Sequence, residues 1–459
     1  MVTLRSLGTN RAMSQLLIRS QHRRPFPQAG RPGGVRAPAA RKSFVPTLIC
    51  LAIVLPFSAA VYFGAAKLTL IKILLVIFTG PAVTKIIASP MRYPRRLMIS
   101  DLFALISSLI ILVVPIIAYG GETIVQSVSQ FIELFGSYII GRAYFYSDDA
   151  LEDFVKAIKF ITIVIVGLGV ADIVLQQYLA HEIAEAIFRA DAPTVDAADP
   201  HFHRLILGRY SLRAASTFDH PILFGTFCAL LIPIHLYAQE SANARLFYVL
   251  VCAVGCVVAL SSAPLLALTA AIGIYCYDAV MYSYRGRWKV MIFSLLFGVA
   301  ALFVLAENPL SWVFRNLTLD PQTSYYRLLI WNAGIEQVSN NFWIGIGPNQ
   351  TGDSILDTSV DSLWLGKAIV YGVPMIVALF LMGFAAVLSF PGQAGVRRAD
   401  PFLDRMCTAF SLLIALLFFV SFTVYFWNAA WIFAALCVGI RVSLKERCLA
   451  AHRQRRQLG

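Results

Sequence analysis

About twelve apolar stretches of roughly 15–25 residues recur along this 459-residue chain, each long enough for a helix to cross about 30 Å of hydrocarbon. They lie near residues 44–64, 67–87, 99–118, 123–141, 158–178, 221–238, 246–262, 264–282, 290–306, 358–389, 406–426 and 429–441. Hydrophobic residues make up 58% of the chain and charged residues 14%, a balance that excludes a soluble globular domain. The expected fold is an all-α polytopic membrane protein. The fourth stretch is the least apolar, because Gln126, Ser127, Ser129, Gln130 and Glu133 give it a polar face.

Charge supplies the topology. If the fourth stretch crosses, the segments 1–43, 85–96, 142–159, 239–245, 283–289, 391–405 and 441–459 share one side and hold 29 of the 38 Lys and Arg residues. By the positive-inside rule that side is the cytoplasm, with both termini inside. The membrane domain runs over residues 44–441, with large outer loops at about 179–219 and 307–357, the second standing before the tenth span.

Residues 1–43 are rich in Arg, Pro and Gly and precede the first acidic residue, Asp101. They are expected to be a disordered basic tail lying against anionic headgroups, and the basic segment 442–459 is read in the same way. An organelle transit peptide, or a true start at Met13, also fits the N-terminal composition. None of the eight cysteines falls in an outer loop, so no disulfide framework is expected, and Cys252 and Cys256 are read as packing residues.

Nine basic residues remain. Lys67, Lys72 and Lys367 fall in or at the ends of spans, where a long side chain snorkels or faces a cavity. The other six, Arg189, Arg204, Arg209, Arg213, Arg315 and Arg327, all lie in the two outer loops, where the rule least expects them. Such misplaced positive charge points to a site for an anionic group. In LGRYSLRAASTFDHPILFG (207–225), Arg209 and Arg213 would share one face if the segment is helical and could grip one phosphate or diphosphate. Asp219 or His220 would cap the helix that begins at Pro221. Tyr325, Leu328, Leu329 and Trp331 to Ile335 suggest an amphipathic helix, followed by a turn at Gly345, Gly347 and Pro348.

GIGPNQ (345–350) lacks the Lys-Ser/Thr ending of a phosphate loop, and Asp199, His201 and His203 are read as solvated loop residues rather than metal ligands. In SDDALED (147–153), Asp148 or Asp149 is expected to cap a helix.

Three segments, STFDHPILFG, Arg327-x₃-Trp331 with NFWIGIGPN, and SVDSLWLGKAIVYGVPMI, resemble the signature regions of the bacterial O-antigen ligase and O-antigen or exopolysaccharide polymerase superfamily. The resemblance covers roughly residues 205–390. It implies a metal-independent glycosyltransferase without cofactor that moves glycan from a polyprenyl diphosphate carrier to an acceptor hydroxyl on the periplasmic face. Membrane lipid, a chain-length regulator and export machinery are the implied partners, and nucleic acid is not.

In that reading Arg209, Arg213 and Arg327 hold the departing diphosphate, and His220 or Asp361 takes the acceptor proton. Trp331, Trp343 and Tyr326 contact glycan or anchor at the interface. Ligases of the family usually carry a His-Asn pair shortly before the tenth span. This chain has Val360, Asp361 and Ser362 there, which favours a polymerase over a ligase acting on lipid A core. A lipid-linked glycan transporter and a non-catalytic assembly scaffold are the competing readings from other classes, although charged groups near the midplane are too few to define a transport path.

Overall fold

The computed structural model describes residues 44–63, 66–88, 95–188, 195–206, 208–309, 311–312, 321–348, 351–390 and 393–458. The tail expected over 1–43, Arg189 and Arg315 lie outside the described residues.

The chain is an all-α membrane protein interrupted by two short hairpins. Among the described residues, eight helices are long and apolar enough to cross a membrane, and shorter apolar helices accompany them. The first expected span does not form whole. Helix α1 (Val45–Ile53) ends just before Pro56, which has no N–H to continue the ladder, and the chain turns into the antiparallel pair β1 (Ala60–Phe63) and β2 (Ala66–Thr69). Helix α2 (Leu70–Ile87) follows.

Helix α3 (Ile99–Tyr119) ends at Gly120, whose φ of +75° lets the chain reverse. A rod then returns through a 3₁₀ turn (Gly120–Thr123), α4 (Ile124–Phe131), a π turn (Ile132–Gly136) and α5 (Ser137–Tyr144). Arg142 near its end meets Asp101 near the start of α3, so the fourth stretch traverses the same thickness as α3 instead of lying along an interface. Helix α6 (Asp148–Leu175) is capped by Ser147, whose Oγ accepts the Ala150 N–H at 3.2 Å. Asp148 and Asp149, expected as caps, occupy its first turn, where carboxylates favour the positive end of the helix dipole.

Helix α7 (Leu179–Phe188) and the hairpin β3 (His203–Ile206) and β4 (Arg209–Leu212) precede α8 (Pro221–Ala238). Helix α8 is apolar on every side and is buried over most of its length, so it forms the bundle's centre. Around it run α9 (Ala242–Val258), α10 (Ser262–Val280) and α11 (Arg287–Leu305). Helix α11 has no buried residue and presents apolar side chains outward.

The second large loop contains α12 (Pro321–Asn340) and α13 (Ser354–Thr358). The tenth expected span, 358–389, is two helices, α14 (Leu363–Tyr371) and α15 (Val373–Val387), parted by Gly372 at φ +80°. A side chain at Gly372 would strike the Trp343 carbonyl, so the break also seats the 342–347 turn against α14.

Helix α16 (Gln393–Ala399), α17 (Pro401–Val420) and α18 (Asn428–Leu458) complete the chain. The segment read as a basic tail from 442 continues α18, and Val442, Leu444, Glu446 and Cys448 are buried in it. Helices α5 and α18 touch backbone to backbone, because a side chain at Gly141 or Gly439 would strike the facing helix.

Candidate active site

The site stands at the end of the bundle where α8, α14 and α18 begin. Arg213 follows β4 and is 6% exposed. Its backbone N–H bonds the Phe202 carbonyl at 2.8 Å, its Nη1 donates to the His201 carbonyl at 3.3 Å and its Nε to the Ala259 carbonyl at 3.3 Å. Carbonyls orient the guanidinium without cancelling its charge.

Arg327, on α12, is also 6% exposed, and its Nε has no hydrogen-bond partner among the described residues. No carboxylate there forms an ion pair with either arginine. Asp361 is half-buried, accepts the Ser359 hydroxyl at 2.7 Å, and lies near enough for its charge to act on both guanidiniums. Ser362 beside it caps α14 by accepting the Leu365 N–H at 3.3 Å.

Electrostatics follow from this crowding. Burial, and then repulsion from Arg204, push Arg213 down to about 10. Burial also lowers Arg327, Asp361 opposes that shift and Arg204 adds to it. Arg213 and Arg327, both buried, carry more positive charge than the one Asp361 carboxylate that acts on them, and an anion would relieve it. Arg204, one of the six outer-loop arginines but given no role of its own by the sequence, stands on β3 opposite Ser211, near enough for its charge to act on Arg213 and Arg327.

Of the expected site residues, Arg213, Arg327 and Asp361 come together. Arg209 starts a strand rather than a helix, after Gly208 at φ +78°, and its side chain lies outside the described residues. His220 caps α8: its Nδ1 accepts the Ile222 N–H at 3.1 Å. That lone pair is therefore occupied, and burial, with Arg213 nearby, lowers the imidazole to about 3. In this arrangement the ring serves as the cap of α8.

Asp219, the other expected cap, instead accepts the Asn428 amide at 2.6 Å, tying α8 to the start of α18, and burial raises its pKa. Trp331 stacks on Phe422 with ring centroids 6.2 Å apart, whereas Trp343 and Tyr326 are 74% and 65% exposed.

Beside this cluster lies a cavity of about 770 Å³, lined by Lys67, Lys72 and Lys367, the three lysines that the sequence places in or at the ends of spans. Its wall includes Tyr425, Trp427 and Asn428. Trp427 packs against His220 at 6.1 Å and Asn428 holds Asp219, so cavity and cluster share a partition. No group of three or more His, Cys, Asp or Glu residues suited to a metal occurs among the described residues.

A family model described as O-antigen ligase matches residues 247–380, from α9 to α15. That stretch is similar to the O-antigen ligase domain. That domain supports the ligase and polymerase superfamily and includes Arg327, Trp331, Asp361 and Lys367; Arg213 and His220 come from the chain before it. No curated protein matches the chain. With its many apolar helices, the ligase domain belongs to a multi-pass membrane protein, and its family implies a lipid-linked oligosaccharide as substrate.

Proposed function

We propose that the protein is an inner-membrane polysaccharide polymerase that joins polyprenyl-diphosphate-linked repeat units on the periplasmic face. The observation that supports this most is the pair of buried arginines, Arg213 and Arg327, set near Asp361 and making no ion pair with a carboxylate among the described residues.

The acceptor hydroxyl oxygen attacks the anomeric carbon of the donor sugar while the bond from that carbon to the diphosphate oxygen breaks. The electron pair leaves with the lipid diphosphate, and Arg213 and Arg327 neutralise the charge that develops there. The acceptor proton passes to the Asp361 carboxylate, which takes the base role because the free nitrogen lone pair of His220 is engaged in its cap. A single displacement inverts the anomeric centre. Both termini then lie in the cytoplasm, the side that carries most of the basic segments.

The aspartate at the place where ligases of the family carry histidine favours a polymerase over a ligase. The test is the glycan profile of a deletion strain complemented with wild type or Arg327→Ala at matched expression, resolved by size together with lipid-linked intermediates. Loss of long polymer with single repeat units accumulating supports the polymerase. Free polymer lacking only its attachment to lipid A core replaces it with the ligase, and an unchanged profile overturns both.

A further inference from the structure

Lys367 lies on α14, which begins two residues after Asp361. It is 4% exposed, lines the cavity, and no carboxylate pairs with it among the described residues. Aromatic faces surround its ammonium instead: the centroids of Tyr371, Tyr425 and Trp431 lie 5.2, 5.4 and 5.0 Å away. Cation–π attraction keeps such a charge in place and leaves it open to an anion.

The opposite wall is already balanced, because Lys72 pairs with Glu133 of the π turn at 2.9 Å and also donates to Ser129. Glu122 is exposed and faces the cavity as well. Three lysines against two glutamates leave one formal positive charge on the lining, which matches a single negative charge rather than a diphosphate. The remaining lining decides the kind of molecule. Leu68, Val76, Ile124, Val125, Val128 and Ile132 give it an apolar part, while Gln126, Gln130, Ser129 and Asn428 offer amides and a hydroxyl, and Trp427 and Trp431 offer flat aromatic faces. The aromatic rings gathered at Lys367, together with the hydrogen-bonding groups of the lining, suit a sugar, which has polar edges and apolar faces.

We propose that this cavity is the acceptor-saccharide subsite and that Lys367 selects an acceptor bearing one acidic sugar. The proposal rests on the polymerase reading for the word acceptor, while the binding it describes stands apart from that reading. Tyr425, whose ring lies where a side chain at Gly366 would go, and Trp427 form the partition past which the next sugar reaches Asp361.

The test uses the full chain in nanodiscs of phosphatidylcholine alone. The probes are a tetrasaccharide containing one glucuronic acid and the same tetrasaccharide with that carboxyl reduced to the alcohol. Calorimetric titration is expected to show the acid binding roughly tenfold tighter, as a charge-assisted contact gives. Lys367→Gln is expected to remove that preference, and Glu133→Gln, which deletes a negative charge from the lining, to strengthen it. The double variant Arg213→Ala and Arg327→Ala is expected to keep the preference even where it abolishes polymer formation, so failure of the polymerase reading is distinguishable from failure of the subsite.

Equal binding of the two probes overturns the proposal, as does a preference that survives Lys367→Gln. Should Lys367→Gln not fold, an unchanged preference in Glu133→Gln overturns it instead. Displacement of the acidic probe by phosphatidylglycerol added to the nanodisc would assign the cavity to a lipid phosphate and likewise overturn it.

Discussion

Two groups of arginines mark opposite ends of this bundle, and they are built by opposite rules. At the end where α3 begins and α5 finishes, Arg142 is completely buried and every branch of it is answered. Its Nε and Nη2 reach Asp101 at 2.8 and 3.0 Å, its Nη1 reaches Glu446 at 2.6 Å, and Arg95 bonds the same Glu446 at 3.0 Å. Tyr138 adds its hydroxyl to Asp101 at 2.5 Å. At the other end Arg213 and Arg327 are almost as deeply buried, yet carbonyls hold one, and the Nε of the other has no partner among the described residues. A buried cation matched by carboxylates ties helices together; one left unmatched stores a demand for an anion that the protein itself does not supply.

The largest effect is expected at Asp361, the proposed base. Asp361→Asn should lower the rate of polymer formation about 10²–10⁴-fold in membranes supplied with lipid-linked repeat units, because the amide cannot accept the proton. Arg142→Ala should act on the fold instead, since removing it strands Asp101 and Glu446. Thermal and denaturant unfolding in detergent should show a loss of about 3–5 kcal/mol, with activity per folded molecule preserved.

Arg327→Ala sharpens the contrast, as it should cut the rate about 10²–10³-fold while the same unfolding measurements show stability unchanged or raised. The smallest effect concerns His220. Its imidazole is held down at about 3 by burial and then by Arg213, whereas an exposed histidine charges near 6.5. The unfolded chain therefore binds the extra proton between those values, and stability should fall as pH drops from about 6.5 toward 3. His220→Asn, which keeps a cap for α8, should flatten that part of the pH–stability curve and leave the pH profile of the rate near 6.5 unchanged.

Much of this was legible in the sequence, for reasons that also explain what was not. Helix α8 begins at Pro221 and ends at Ala238 as its apolar run does, because proline at the first position and a polar Gln239 punctuate it. The surplus of arginine in two loops pointed to Arg213 and Arg327 without showing that β4 and α12 bring them to one carboxylate. That meeting depends on packing between segments far apart in sequence. The hairpin 203–212 was missed since four-residue strands are too short to show alternation, and with it the strand geometry of Arg209 and the role of Arg204.

The run of charge after residue 441 suggested a solvated tail. Arg441 is nevertheless buried in α18, with its Nε on Ser411 at 2.8 Å, and Glu446 joins the Arg142 network. Charge reports exposure only where no partner waits in the fold. The three lysines in or near spans were recognised as cavity-facing or snorkelling, but the aromatic cage around Lys367 required the three-dimensional arrangement of α14 and α18.

The most direct test of the contrast between the two ends is calorimetric binding of farnesyl diphosphate to the purified protein, compared with the Arg213→Ala, Arg327→Ala double variant and with Arg142→Lys. The expected result is binding by wild type and by folded Arg142→Lys, weakened at least about tenfold in the double variant, as the loss of charge-assisted contacts entails. Equal affinity in wild type and the double variant would contradict it, and the unmatched arginines would then have to serve something other than a diphosphate.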